Sequence, residues 1–322
     1  MKFTPLKFQI PLAAGGIALM AFNYLQFAVP HGKGLITQSD IPWTGLTTVQ
    51  TSMFLLLAVI MLVFSVINLG ATAYYLKQII QWIANKPEYQ EFINGPPTKS
   101  IAVFVPVASL SMTANVILAP LAFFVPQLSS NLQALMLPGL IFFGLLWLIV
   151  FRLEFSVLKT WLSHPLDASQ LNFIWLLDVF AFGLVSLTGT GIAALSNSEV
   201  IASTAAFASL FTLSLGFFLL VTKLAYLIFL QIKAHKLPEN PILPAFFLVI
   251  PITCLYGYSF YRITQYLEKI FSFDIKVLSF FFINFSYVVT IGWGIFCLYL
   301  LSNYFKRDFL KSNFYPTQWG LI

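Results

Sequence analysis

The sequence predicts an all-α polytopic membrane protein built from helical hairpins around a central pore, and three observations predict it. Hydrophobic residues make up 59% of the 322 and charged residues only 9%, against the roughly 25% charged content of soluble domains. Nearly every Lys, Arg, Asp and Glu falls between apolar runs long enough, at about 20 residues, to cross a hydrocarbon core of about 30 Å. Small and hydroxylated residues interrupt these runs at mid-depth, most densely in 180–195, FAFGLVSLTGTGIAAL. Such residues either let helix backbones approach closely or line a polar path, and the second role is the expectation.

Eight spans follow in order: 10–29, 53–75, 101–125, 135–151, 171–195, 200–230, 242–261 and 277–301. The first begins like a secretory signal, with Lys2 and Lys7 before an apolar run, but the run reaches Val29 and is too long for an h-region. It is therefore an uncleaved span. Polar residues 306–313, a turn at Pro316 and the group Trp319, Gly320, Leu321 and Ile322 predict the start of a ninth. Together they predict a single transmembrane domain over 1–322, without room for a soluble one.

Thirteen of the seventeen basic residues, counting Lys223 toward the inner end of the sixth span, lie at the N-terminus or on the side of the connectors after even spans, which predicts a cytoplasmic N-terminus. The opposite side holds Lys33, Arg262, Lys269 and Lys276. The net charge of +6 is thus an orientation signal and does not point to nucleic acid. Cys254 and Cys297 both lie inside apolar runs, so they predict packing and neither a disulfide nor a thiolate metal site.

Helical spacing gives the odd spans a small or polar stripe. Pro11, Ala14, Ala18, Ala21, Leu25 and Ala28 form it in the first, and Ala108, Ser111, Asn115 and Ala122 in the third. In the fifth it is Asp178, Phe182, Ser186, Gly189 and Ala193, and in the seventh Ile250, Thr253, Gly257 and Phe260. These faces predict a solute path lined by Ser111, Asn115, Ser186, Thr190 and Thr253, with Phe182 as a constriction. Interior prolines favour the odd spans, and Pro106 and Pro251 are expected to set helix bends.

Asp178 is the sharpest single residue, because a carboxylate roughly 12 Å into a span is expensive unless paired, protonated or wetted. Lys223 on the next span reaches a similar depth, and a buried Asp178–Lys223 ion pair is expected ahead of a proton relay. A relay would need further carboxylates or histidines in the spans, and the sequence offers none within the bounds above. His31, His164 and His235 lie in connectors, where His164 with Asp167 reads as a turn beside Pro165. HExxH, GxxxxGK[ST] and GxSxG are all absent from the sequence, so no catalytic residue, metal or cofactor is expected.

The layout and three stretches resemble the tellurite-resistance/dicarboxylate transporter family, which includes plant slow anion channels. The stretches are FQIPLAAGGIALMAF (8–22), PPTKSIAVFVPVA (96–108) with Pro97 and Lys99, and NFYPTQWGLI (313–322), similar to the family's aromatic lead-in to a ninth helix. The resemblance implies five hairpins, odd helices around the pore, three subunits, and transport of inorganic anions, sulfite or C4-dicarboxylates by a channel or carrier in a bacterial inner (cytoplasmic) membrane. It also implies a gating phenylalanine beyond Ile322, so the chain is expected to lack the end of the family fold. A membrane scaffold or assembly subunit without transport is the alternative from another class, and a proton-driven carrier using Asp178 is a third.

Overall fold

Eight helices long and apolar enough to cross a membrane account for most of the computed structural model, which describes residues 3–32, 34–163, 168–309, 311, 315, 317 and 318. They are span 1 (Pro5–Ala28), span 2 (Thr48–Ala84), span 3 (Pro97–Phe124), span 4 (Leu132–Ser163), span 5 (Phe173–Leu195), span 6 (Glu199–Ala234), span 7 (Leu243–Phe271) and span 8 (Lys276–Leu300). The His164–Asp167 turn and most of the stretch 313–322 lie outside the described residues.

All eight expected spans are present, but several helices continue well past the apolar runs. Span 4 was expected to end at Phe151 and reaches Ser163; span 7 was expected to end at Tyr261 and reaches Phe271. Hydropathy marks where lipid begins and ends, whereas Arg, Glu, Gln and Lys are good helix formers that do not stop a helix. Charged residues, Glu154 and Arg262 among them, consequently lie on spanning helices.

Spans 1, 3, 5 and 7 pack side by side in that order, and spans 2, 6 and 8 lie against the odd span preceding each, while span 4 packs on both 3 and 5. Within the most apolar window of each helix, 89% of span 5 and 72% of span 3 is buried, against 22% of spans 2 and 4 and 6% of span 8. The odd spans therefore form the inner layer. The even spans present their Leu, Ile, Val and Phe side chains outward, as helices facing lipid must.

The four odd spans run parallel, and each contains a tight 3-10 segment near its start: Pro5–Phe8, Ile101–Val103, Phe173–Leu176 and Leu243–Leu248. In spans 1, 3 and 7 the third residue of the following α-helix is a proline, Pro11, Pro106 or Pro251. Proline has no N–H, so it fits in the first α-turn, where the hydrogen-bond register changes from i−3 to i−4. Pro106 and Pro251 mark these junctions instead of breaking an α-helical run. The interior proline with a local effect is Pro120, inside a wide π-turn over Ile117–Leu121.

At the far end from the N-terminus, Gln26 secures the connector between spans 1 and 2. Its amide oxygen accepts from the Ile36 N–H at 2.8 Å, and its amide nitrogen, Nε2, donates to the Gly34 carbonyl at 3.0 Å. A reciprocal cap between Thr37 and Asp40 shapes the next turn, and the Thr37 hydrogen bonds hold the Asp40 carboxyl below its ordinary range.

Candidate functional site

The stripe on span 5 does not face the axis of the bundle. Asp178 meets Lys223, Phe182 packs edge-on against Phe151 of span 4, and the Ser186 hydroxyl donates to Thr212 of span 6 at 2.8 Å. A Cβ on Gly189 would lie 2.2 Å from Ser209 Oγ and 2.5 Å from the Phe143 ring; one on Gly216 would lie 2.8 Å from Phe182 Cβ. The small residues are a seam that lets spans 5 and 6 approach closely, the packing use of such residues in membranes. Gly189→Ala is expected to lower the melting midpoint in detergent, at a cost of about 1–3 kcal/mol for overpacking. An unchanged midpoint would show that the seam can yield.

The same correction applies to span 7. Thr253 shares a hydrogen bond of 2.8 Å with Thr290 of span 8, Gly257 faces Ser286, and Phe260 stacks on Phe282. Ser186 and Thr253 thus belong to helix–helix contacts and not to a pore wall. Thr190 is fully buried, with its hydroxyl donating to the Leu187 carbonyl. Phe182, between spans 4 and 6, is turned away from the axis and cannot constrict it in this arrangement.

Two cavities mark the axis. One, of about 300 Å³, lies among the starts of all four odd spans and is bordered by Gln9, Thr98, Leu177, Ile242 and Leu248, with Tyr315 and Thr317 also on its wall. Four parallel helices start around this space, so their partial positive ends converge on it. The second, of about 50 Å³, lies toward the other end and is bordered by Asn23, Asn115, Thr188, Gly191, Tyr258 and Arg262.

The smaller cavity holds the polar chemistry. Ser111 and Thr188 share a 2.7 Å hydrogen bond between spans 3 and 5, and Asn115 Nδ2 donates to Thr188 Oγ1 at 2.8 Å. The Arg262 guanidinium lies 4.9 Å above the Tyr258 ring and donates to that phenol at 2.6 Å and to Gln265 at 3.2 Å. A guanidinium held by neutral partners keeps its full charge for an anion.

The cavities share no lining residue. Between Leu177 in one and Leu187 in the other, span 5 rises about 15 Å, and every residue from Asp178 to Thr190 is buried. This structure is closed.

Off the axis, the Lys223 ammonium is paired with Asp178 and donates to the Trp175 carbonyl at 3.2 Å. The rings of Trp161 and Trp175 lie 4.8 and 4.5 Å from it. Glu154 of span 4 is also fully buried and close enough to feel both charges of the pair. The expectation that no second carboxylate lies at this depth is therefore corrected.

Of the residues expected to line a path, Ser111 and Asn115 lie at the smaller cavity's polar cluster, while Ser186, Thr190 and Thr253 do not. Sequence reasoning missed Arg262, assigned to a connector, and Glu154, placed beyond the fourth span. A signal for Glu154 existed: Val150, Glu154, Val157 and Trp161 recur at helical spacing, so the apolar face of span 4 continues through the carboxylate.

Parallel inner helices, a lipid-facing outer layer and two axial cavities, one with a guanidinium, define an integral membrane transport protein. The voltage-dependent anion channel family, SLAC1, matches residues 2–322, and the chain belongs to that family. Its activity is membrane transport of anions, and the family comprises channels and transporters, not enzymes. This agrees with the resemblance to the tellurite-resistance/dicarboxylate transporters. Searches of curated proteins and of solved structures returned no match.

Proposed function

We propose that the chain moves small inorganic anions along the axis between spans 1, 3, 5 and 7, from the cavity at the converging helix starts to the one beside Arg262. The observation that carries this reading is the position of Arg262, Asn115 and Thr188 around one small axial cavity. Neutral donors and a single positive charge attract an anion without the trapping that several charges would cause. A volume of about 50 Å³ favours chloride or nitrate over a C4-dicarboxylate. Conduction requires the buried stretch from Asp178 to Thr190 to move, so the path is gated.

The charge distribution supports a cytoplasmic N-terminus, and with it a larger cavity that opens toward the cytoplasm; a bacterial inner membrane is the proposed location. The apolar outer faces of the even spans suit contact with lipid and with further copies of the chain, and three subunits with separate pores is the proposed assembly. Flux in proteoliposomes, with chloride, nitrate, sulfite and malate in turn, tests the reading. Chloride and nitrate are expected to exceed malate; a preference for malate would overturn the assignment of the small cavity as the selective site.

A further inference from the structure

Two carboxylates and one ammonium are sealed together away from the axis. Glu154 lies about 14 Å from the end of span 4, and Lys223 about 16 Å from the end of span 6. Lys223 is already committed to Asp178, the Trp175 carbonyl and two indole rings. Glu154 is 0% exposed, and neither of its carboxyl oxygens meets a hydrogen-bond donor among the described residues. Unprotonated, the cluster would carry a net charge of −1 in the protein interior, at a cost of several kcal/mol. One proton removes that charge.

We propose that Glu154, Asp178 and Lys223 form a proton-binding site buried between spans 4, 5 and 6, and that its proton couples pH to opening of the anion path. The groups facing Glu154 can be named from every packed element. Span 5 contributes Asp178, span 6 Lys223 and span 7 the buried phenol of Tyr256, which feels both carboxylates and donates to the Val179 carbonyl at 3.1 Å. The α-helical part of span 3, Phe104–Val116, contains no titratable residue. On span 4 itself Arg152 and Lys159 are the nearest charged side chains along the chain, and both are at least partly exposed.

The proton's location explains how it reaches the axis. The cluster ties spans 4, 5 and 6 together at the start of the seam that continues through Phe182, Ser186 and Gly189. The other face of span 5 carries Leu177 and Thr188, one at each cavity. Losing the proton leaves an uncompensated carboxylate in this packed arrangement, which favours any arrangement that wets it. Span 5 then shifts, and raising the pH disfavours the closed state.

The coupling rests on the axial anion path; the proton site does not. Infrared spectra of the purified protein at neutral pH are expected to contain the carbonyl stretch of a protonated carboxylic acid, lost in Glu154→Gln. In proteoliposomes, wild-type chloride flux is expected to rise with pH, by at most about tenfold per unit for one linked proton. Glu154→Gln, fixed in the neutral form, should stay low with less than about twofold variation, while Glu154→Asp keeps a titratable carboxyl and retains the rise. An acid band that is absent, or that persists unchanged in Glu154→Gln, overturns the site. A band assigned to Glu154 with the same pH profile in Glu154→Gln overturns the coupling. If the band is assigned but no variant carries chloride, the proton site stands and the anion path fails.

Discussion

Lys223→Met will sharply reduce the yield of folded protein. The substitution keeps most of the side chain's length and removes the cation that, among the described residues, faces Asp178 and Glu154, both fully buried. Breaking a buried pair from one side costs about 3–5 kcal/mol, because the remaining charge has no compensation. That is a large share of the stability of an ordinary domain. Asp178→Asn alone is expected to impair folding less, because it takes away the hydrogen-bonded partner of the Lys223 ammonium but leaves Glu154 beside it. The double variant removes both charges at once and should recover most of the loss. A double-mutant cycle on thermal midpoints measures this directly. Additive effects, with no recovery in the double variant, would remove the ion pair as a contributor to stability.

Arg262→Gln will lower anion flux by roughly 10- to 100-fold, which corresponds to one charge-assisted hydrogen bond of about 1.5–3 kcal/mol. The variant keeps a hydrogen-bonding head near Tyr258 and loses the positive charge, so folding should survive. Arg262→Lys retains the charge but loses the planar fork that donates to Tyr258 and Gln265, and it is expected to recover flux only in part. Flux at increasing chloride concentration separates weaker binding, which saturating anion overcomes, from a blocked path, which it does not. Wild-type flux from a folded Arg262→Gln protein would exclude the guanidinium from the path.

Ser186→Leu provides a contrast with Arg262. Read as pore lining, it would reduce flux in a protein that inserts normally. The 2.8 Å contact between Ser186 and Thr212 instead predicts a folding defect, since leucine has no space in the seam between spans 5 and 6. A folded Ser186→Leu protein with selectively lost flux would return that face to the pore.

Much of this protein was determined by local composition. Lipid and water impose their own pattern along the chain, so eight apolar runs, alternating basic connectors and the kinship to anion channels were legible without coordinates. The inner position of the odd spans was also suggested, by their prolines and small stripes. Which way those stripes turn was not. Glycine, serine and threonine serve equally at a close helix crossing and at a wetted wall, and sequence spacing assigns residues to one face without saying what the face meets. Tertiary packing turned Asp178, Phe182, Ser186 and Gly189 toward span 6, and Thr253 toward span 8. It left Asn115, Thr188 and Arg262 on the axis. It also brought Glu154 to the Asp178–Lys223 pair across 24 and 69 residues of chain respectively, because helices lengthen past the lipid boundary and the nearest charges in space need not be neighbours in sequence.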